Sequence, residues 1–360
     1  MSDLDAVLEG IRDWSDQGLD FALATVVGVR GSTYRGLAAR QLVGIDGAGI
    51  GTVSGGCLDR DLHAVALEVI NSGNPRRVEF DLTADDEAIW GWGIGCNGAT
   101  EVLVEPAAMA RELAGRIGRI RSEQRPTAIV HALDPAHLAR RGYVTSTSTE
   151  GDLTAQEADE AREALAHGFH RLAETAAGRR LVEVVAAPSR LVVCGAGHDA
   201  APVVRFGAML GFHVVVVDDR RQFLDRERFP EATGLVHCEA SELARHVEID
   251  PRTYVVVMSH NYLRDLDYLR SLAPTAVGYV GVLGPGARIE RLFGDLEGEG
   301  VKLAPGFVSR VHAPAGLDLG AEGPDEIAWA ILAEVLAVRR DRTGGRLRSR
   351  KGPDRLRRLA

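Results

Sequence analysis

The chain has 360 residues, of which 45% are hydrophobic and 26% are charged. This length favours two domains, and this composition is typical of a soluble globular protein. The formal net charge of −9 argues against nucleic acid as the main partner. No apolar run reaches the roughly 18 residues that a membrane span requires. The acidic start of the chain does not resemble a signal peptide, so we expect a cytoplasmic protein.

The first predicted domain, residues 1–187, has a mixed α/β pattern. A helix over about 4–17 precedes the strand FALATVVGV. A turn at Asp46 and Gly47 then pairs the strand QLVGIDG with AGIGTVS as a hairpin. A second helix follows Cys57, and its apolar residues lie on one face. These residues are Leu62, Val65, Ala66, Val69 and Ile70.

The segment 125–187 repeats this order in a diverged form. The strands TAIVHAL and GYVTSTS precede a turn at Glu150 and Gly151, a helix predicted over 155–176, and the strand RLVEVVA. Only the first copy carries glycines and a cysteine at the start of its helix. We therefore predict an internal duplication, and we expect the loop with the glycines and the cysteine to have a functional role in addition to a structural one.

The second predicted domain, residues 188–340, has the pattern of a Rossmann-like parallel sheet. Pro188 separates it from the first domain, and Val-rich strands alternate with helices. This alternation is typical of a parallel sheet that is covered on both faces. The closing helix PDEIAWAILAEVLAVRR has acidic residues in its first turn and arginines in its last. Residues 341–360 form a basic tail that we expect to be flexible.

The motif G-x-G-x-x-A follows the first strand of this domain, at Gly195, Gly197 and Ala200. In Rossmann domains such a turn holds a phosphate at a helix N-terminus. An acidic residue at the end of the next strand, here Asp218 or Asp219, binds the ribose hydroxyls. The ligand stays open between NAD(P), another adenine nucleotide and none, because Rossmann folds host all three cases.

His198, His260 and Asn261 are candidate ligand contacts of the same domain. His198 stands in the phosphate turn, and His260 and Asn261 follow the fourth strand. The carboxyl ends of parallel strands meet at one edge of the sheet, so these side chains should lie near the same crevice. A helix-capping role for either histidine is the alternative.

Cys57 is the first of two candidate functional thiols. It comes directly after Gly55 and Gly56, at the start of a predicted helix. Backbone N–H groups at such a position favour a thiolate and attract anions. We therefore regard Ser54, Gly55 and Gly56 as candidate cofactor-binding residues around this thiol.

Cys96 is the second candidate, between Gly95 and Asn97 in a Gly-rich loop where the backbone can approach a ligand closely. Cys194 and Cys238 lie in apolar runs and are expected in the core. The four cysteines have no C-x-x-C spacing, so we expect neither a disulfide framework nor a zinc site.

Several blocks of the sequence, in order, resemble the xanthine dehydrogenase accessory factors, the XdhC/CoxI-type proteins. They include ATVVGVRGSTYRGLAARQLVGIDGAGIGTVSGGCLDRDL, GIGCNGATEVLVEP, RLVVCGAGHDAAPVVRFGAMLGFHVVVVDDR and YVGVLGPGARIERL. The resemblance covers nearly the whole chain. One position departs from the family pattern, because Asp59 stands where a glutamate is expected, which keeps the charge but shortens its reach.

The resemblance implies a molybdenum cofactor chaperone rather than an enzyme that turns over substrate. Such proteins bind the cofactor while a cysteine desulfurase supplies its terminal sulfur, and they deliver it to an apo molybdenum hydroxylase. In this chain Cys57 would be a molybdenum ligand, and Cys96 a second ligand or a phosphate-loop residue. The Gly-rich N–H groups would hold the pterin phosphate. We also expect a homodimer.

Two other functions remain open from the residues alone. An NAD(P)-dependent oxidoreductase would use the Rossmann domain directly, and a nucleotide-sensing scaffold would need neither candidate cysteine. Xanthine dehydrogenase itself is excluded, because the chain is too short and lacks the clustered cysteines of plant-type 2Fe–2S centres.

Overall fold

The structure is a computed structural model that describes residues 3–81, 98–175, 178–301 and 303–346. The chain divides into two compact units, Met1–Ala187 and Pro188–Ala360. Each unit has its own hydrophobic core. In the described ranges, no helix is both long enough and apolar enough to cross a membrane.

The first half of the first unit, which we call the first repeat (residues 3–106), has the element order αβββαββ. Its elements are α1 (Asp3–Asp16), β1 (Phe21–Gly31), β2 (Arg40–Gly44), β3 (Gly49–Gly51), α2 (Asp59–Ser72), β4 (Arg76–Asp81) and β5 (Gly98–Pro106). The strands form an antiparallel sheet in the order β3-β2-β1-β5-β4. The predicted hairpin and the helix after Cys57 are confirmed.

The second repeat (residues 107–185) has the same element order. Its elements are α3 (Ala107–Ser122), β6 (Thr127–Ala132), β7 (Arg141–Val144), β8 (Thr149–Glu150), α4 (Ala155–His167), β9 (Arg171–Thr175) and β10 (Gly178–Val185). Its strand order, β8-β7-β6-β10-β9, is that of the first sheet with each strand replaced by its counterpart.

The two repeats also share their strand register. Leu23 of β1 pairs with Glu105 of β5, and Ile129 of β6 pairs with Glu183 of β10. Each glutamate therefore holds the same position in its own sheet. A common element order, strand order and register are what an internal duplication produces.

Two edge strands differ from the sequence prediction. The helix expected over 155–176 ends at His167, because Gly168 adopts a left-handed backbone with φ of 70° and closes the helix. Residues 171–175 form β9 instead, and they pair with β10. Strand β4 was missed for a different reason, because its residues are mostly exposed and give little apolar alternation.

The two sheets of the first unit pack around a shared core. Helix α3 contacts strands of both sheets there, and α1 packs on the first sheet and on α3, in a cluster that includes Val7, Phe21, Leu23, Leu113, Ile117 and Ile129. Helix α2 covers the other face of the first sheet with Leu62, Ala66 and Val69. Helix α4 covers the other face of the second sheet through its alanines. The apolar face predicted for α2 is therefore its buried face.

The second unit is a Rossmann-type α/β unit, as predicted. Its strands are β11 (Arg190–Cys194), β12 (His213–Asp218), β13 (Gly234–His237), β14 (Thr253–Val257), β15 (Tyr279–Val282) and β16 (Val311–His312). Its helices are α5 (Ala200–Met209), α6 (Leu243–His246), α7 (Tyr262–Leu272), α8 (Gly286–Gly298), α9 (Pro305–Val308) and α10 (Gly323–Arg339).

All strand pairs of this sheet are parallel, in the order β13-β12-β11-β14-β15-β16. The chain moves outward from β11 in one direction and then returns to β14 on its other side. The strand order therefore reverses between β11 and β14, and the crevice at their carboxyl ends is where such sheets bind ligands.

Candidate functional site

The loop before α2 holds Cys57 at the surface. Cys57 is exposed, whereas Ser54 and Leu58 are buried. The Ser54 hydroxyl accepts hydrogen bonds from the N–H groups of Gly56, at 3.0 Å, and Leu58, at 3.4 Å. It also lies 3.4 Å from a carboxylate oxygen of Asp59, to which it donates. The buried residues Ser54 and Leu58 thus fix the two ends of the loop, and the Cys57 thiol between them is exposed to solvent.

This loop is an addition to the first repeat. Ile50 and Glu150 hold equivalent register positions, so Ser54 and Thr154, each four residues later, are also equivalent. Thr154 is the N-cap of α4, which begins at the next residue. Helix α2 begins five residues after Ser54, so residues 55–58 have no counterpart in the second repeat. The second repeat shows that this fold forms without a loop like the one that carries Cys57.

A second segment is also longer in the first repeat. Residues 82–97 connect β4 to β5, whereas only residues 176 and 177 connect β9 to β10. Three predicted site residues fall in the longer connection, and they lie outside the described residues: Gly95, Cys96 and Asn97. We call residues 55–58 and 82–97 the two additional segments. Both candidate thiols are therefore in parts of the first repeat that the second repeat lacks.

A small pocket lies beside Cys57 and beside the residue that follows the second additional segment. Its lining includes Cys57 and also Gly98, the residue that follows the longer connection. The loop between β1 and β2 supplies Ser32, Thr33 and Tyr34. The Tyr34 ring is 63% exposed and lies against Gly55, where a Cβ would be 3.5 Å from the ring. Tyr34 is not among the predicted site residues, although its loop belongs to one of the blocks that resemble the family.

The predicted phosphate turn is present between β11 and α5. Gly195 has a φ of 115°, and a Cβ there would lie 2.7 Å from the carbonyl oxygen of Met258. A side chain at this position is therefore excluded by β14 and its following loop. His198 is exposed in the turn, and Ala200 is fully buried where α5 begins. Among the described residues, the N–H groups of Gly197 and His198 have no hydrogen-bond acceptor.

Asp218 is not free to bind a ribose as the sequence pattern predicts. It is 2% exposed, and one carboxylate oxygen accepts from the Ala196 N–H at 2.7 Å. The Arg220 guanidinium binds both oxygens, at 2.8 and 2.9 Å, and the Arg220 N–H adds a further bond. Burial alone would raise the pKa of Asp218, but these donors outweigh it and lower that pKa to about 2. Asp218 therefore anchors Arg220 and the phosphate turn.

His260 approaches the phosphate turn from the other side of the crevice. Its Nε2 lies 2.6 Å from a carboxylate oxygen of Asp199, which directly precedes α5. His260 has a left-handed backbone with φ of 55°, which is uncommon for a residue with a side chain. Asn261 is the N-cap of α7, where its side chain accepts from the Arg264 N–H. The crevice thus brings His260 to the turn, whereas Asn261 serves the helix.

The other two cysteines lie in the core, as expected. Cys194 and Cys238 are both buried. Burial raises the pKa of Cys194 well above its ordinary value and that of Cys238 to about 11. Neither thiol is suited to reaction near neutral pH. Within the described ranges, no group of three or more His, Cys, Asp or Glu side chains is placed to hold a metal ion.

The fold and these sites define a class of protein in which a duplicated α/β unit precedes a Rossmann-type unit. Two family models match this chain: "XdhC and CoxI family" over residues 14–81 and "XdhC Rossmann domain" over residues 191–335. The chain belongs to the XdhC/CoxI family.

Relatives match along nearly the whole chain. A protein of Bacillus subtilis that is named as part of a probable xanthine dehydrogenase is 29% identical over 94% of this chain and 96% of its own length. The molybdenum cofactor insertion chaperone PaoD from Escherichia coli is 23% identical over 89% of this chain and 84% of its own length. A crystal structure of a protein named as a xanthine dehydrogenase from Bacillus halodurans is 28% identical, with a TM-score of 0.79 over 98% of both chains.

Proposed function

We propose that this protein binds the molybdenum cofactor and assists its maturation and its insertion into a xanthine dehydrogenase-type molybdenum hydroxylase. Its family and the names of two relatives, one named as part of a xanthine dehydrogenase and the other as a cofactor insertion chaperone, support this proposal. The proposal includes the sulfuration step, with a cysteine desulfurase as partner, in a cytoplasmic homodimer.

The position of Cys57 is the observation that carries the proposal. It is exposed in one of the two additional segments, and the second repeat forms the same fold without them. Because the fold does not require this loop, its residues can be used to bind a ligand. Gly56 has a φ of 102°, a backbone conformation that favours glycine, so it permits the turn that leaves Cys57 exposed.

The residues around Cys57 fit the chemistry of this cofactor. A thiolate is a soft donor that suits a molybdenum centre, and Tyr34 offers an exposed aromatic face for a pterin ring. Arg60, in the first turn of α2, is exposed and has no carboxylate partner among the described residues. It is therefore suited to the pterin phosphate. When bound, the cofactor supplies the metal centre that the client enzyme needs for its chemistry.

The shape of the site agrees with transfer rather than permanent storage. Cys57 and Tyr34 are exposed, and the pocket that they line is small. A carrier that has to release its ligand to another protein needs such access, whereas an enzyme that retains a cofactor normally buries most of it. We propose Cys96 as a second thiol for the same ligand, because its segment ends at the Gly98 edge of this pocket.

Small molecules released from the purified protein test the proposal. The full chain is expressed in cells that make the molybdenum cofactor, and the released ligands are identified by mass spectrometry. We expect a molybdopterin, with the fluorescence of its oxidised pterin. A protein that releases no pterin, and instead turns over NAD(P)H with a small substrate, would be an oxidoreductase and would contradict the proposal.

A further inference from the structure

The crevice of the Rossmann-type unit contains an arginine where a ribose-binding carboxylate would normally be available. In NAD-binding Rossmann units, the acidic residue at the end of the second strand binds the ribose 2′-hydroxyl. Here Asp218 holds that position, but Arg220 and the Ala196 N–H occupy both of its oxygens. A free ribose diol could bind Asp218 only after displacing the Arg220 guanidinium.

The guanidinium of Arg220 has one edge left for a ligand. Its Nε and Nη2 bind Asp218, and within the described residues its Nη1 has no partner. The group lies over the Phe223 ring, 4.1 Å from the ring centre, which fixes its plane. Arg221 follows directly and is exposed, without an ion pair to any described residue. Two cationic side chains therefore stand where the ribose of a bound nucleotide would lie.

A third arginine adds positive charge beneath the phosphate turn. Arg228 donates to the carbonyl oxygens of Ala196, at 3.1 Å, and Gly197, at 3.3 Å. No described carboxylate forms an ion pair with it, whereas Asp219 is paired with Arg264 at 2.8 Å. At the corner between β11 and β12, Arg221 and Arg228 have no ion pair with a described carboxylate, whereas Asp218 and Asp219 are each paired with an arginine, which favours a ligand with several phosphates.

We infer that this crevice binds an adenosine ligand with a phosphate monoester on its ribose, as in NADP(H), in preference to one with a free ribose diol, as in NAD(H). The guanidinium of Arg220, with Arg221 beside it, takes the monoester, since guanidinium and phosphate form strong charge-assisted hydrogen bonds. The turn at Gly197 and His198 takes the diphosphate. This site is independent of the cysteines and goes beyond the proposed cofactor role.

Calorimetric titration of the full chain with four ligands tests the inference. NADP⁺ and NAD⁺ differ by the 2′-phosphate, and coenzyme A and dephospho-coenzyme A differ by the 3′-phosphate. We expect the phosphorylated member of one pair to bind at least about tenfold more tightly than its partner, and the pair that responds identifies the source of the monoester. Equal affinity within both pairs, or no binding by any of the four, would overturn the inference.

Variants identify the residue that reads the phosphate. Arg220→Ala should abolish the preference and also increase affinity for NAD⁺, because Asp218 is then free to accept from the ribose hydroxyls. Gly197→Val, which puts a side chain into the turn, should abolish binding of all four ligands. Arg205→Ala is the matched control, since Arg205 pairs with Asp325 at the surface of the same unit.

Arg220→Ala leaves a buried carboxylate without its partner and can fail to fold. Arg220→Lys then decides the question, because a single ammonium group cannot hold both Asp218 oxygens and a phosphate together. A reduced preference in the lysine variant supports the inference. An unchanged preference in whichever variants fold would show that Arg220 does not read the monoester.

Discussion

Arg40 of the first repeat and Glu183 of the second form a buried ion pair with two hydrogen bonds, at 2.7 and 2.6 Å. The same relationship occurs in the opposite direction, where Arg141 of the second repeat binds Glu105 of the first. The two arginines hold equivalent register positions, as the two glutamates do. The repeats therefore exchange equivalent ion pairs across their interface, and the duplicated unit has an internal pseudo-twofold symmetry.

Breaking one of these pairs should destabilise the first unit strongly. Glu183→Gln keeps the size of the side chain but removes the carboxylate that pairs with the buried Arg40 charge, at a cost of about 3–5 kcal/mol in the free energy of unfolding. Urea unfolding measures this change. Asp325→Asn, which breaks an exposed pair with Arg205, should change the stability by less than about 0.5 kcal/mol. A loss below about 1 kcal/mol for Glu183→Gln would show that this pair does not join the repeats.

The same interface should make stability depend on pH through His131. His131 is 1% exposed, its Nδ1 accepts from Arg141 and its Nε2 donates to Glu183. Burial and the Arg141 charge lower the pKa of His131 below the ordinary 6.5. As the pH falls through 6.5, the unfolded chain takes up a proton that the folded protein does not, so stability decreases.

Glu183 acts in the same direction at lower pH. Burial would raise its pKa, but Arg40 and His131 hold that pKa well below the ordinary 4.5, so its contribution is lost as the pH falls below that value. His131→Gln should therefore flatten the stability curve between about pH 7 and 5, while a loss of stability remains at more acidic pH because Arg40 still pairs with the Glu183 carboxylate. Urea unfolding over a pH series gives both curves. If the stability curves of the variant and the unmodified protein were parallel in that interval, His131 would have the same pKa in the folded and unfolded states.

Cys57 should be the most reactive of the three described cysteines. It is exposed, whereas burial raises the pKa of both Cys194 and Cys238. Iodoacetamide at pH 7 should alkylate Cys57 at least about tenfold faster than either buried thiol. Peptide mass spectrometry over time gives the rate at each position. Comparable rates at Cys57 and Cys194 would show that the loop does not present its thiol.

The regular parts of the fold were predictable because their patterns are local. Val-rich strands followed by helices indicate the Rossmann-type unit, and one apolar face identifies α2. Edge strand β4 is mostly exposed, so it has little hydrophobic pattern to reveal it, and β9 was included in the predicted helix because the pattern did not mark the end of α4 at Gly168. The duplication was visible as a repeated order, but the strand register was needed to show that residues 55–58 are additional.

The roles of the candidate site residues were less predictable, because each role depends on hydrogen-bond partners that the local sequence pattern does not show. The motif places Asp218 at the end of its strand correctly, but nothing local shows that Arg220 folds back on it. Asp199 pairs with His260 across 61 residues of sequence, and neither residue alone indicates the pair. Asn261 has a local signal of its own, since asparagine before a helix is a common N-cap.

Cofactor retention by a Cys57→Ser variant tests the central claim most directly. Serine keeps the shape of the exposed loop but lacks the soft sulfur donor, so the variant should fold with an unchanged melting temperature. This variant, a Cys194→Ser control and the unmodified protein are purified from cofactor-producing cells, and bound pterin is quantified per chain. We expect Cys57→Ser to lose most of its bound pterin and to fail to activate the apo hydroxylase, whereas Cys194→Ser alters only stability. Normal pterin content and normal client activation by Cys57→Ser would contradict the account.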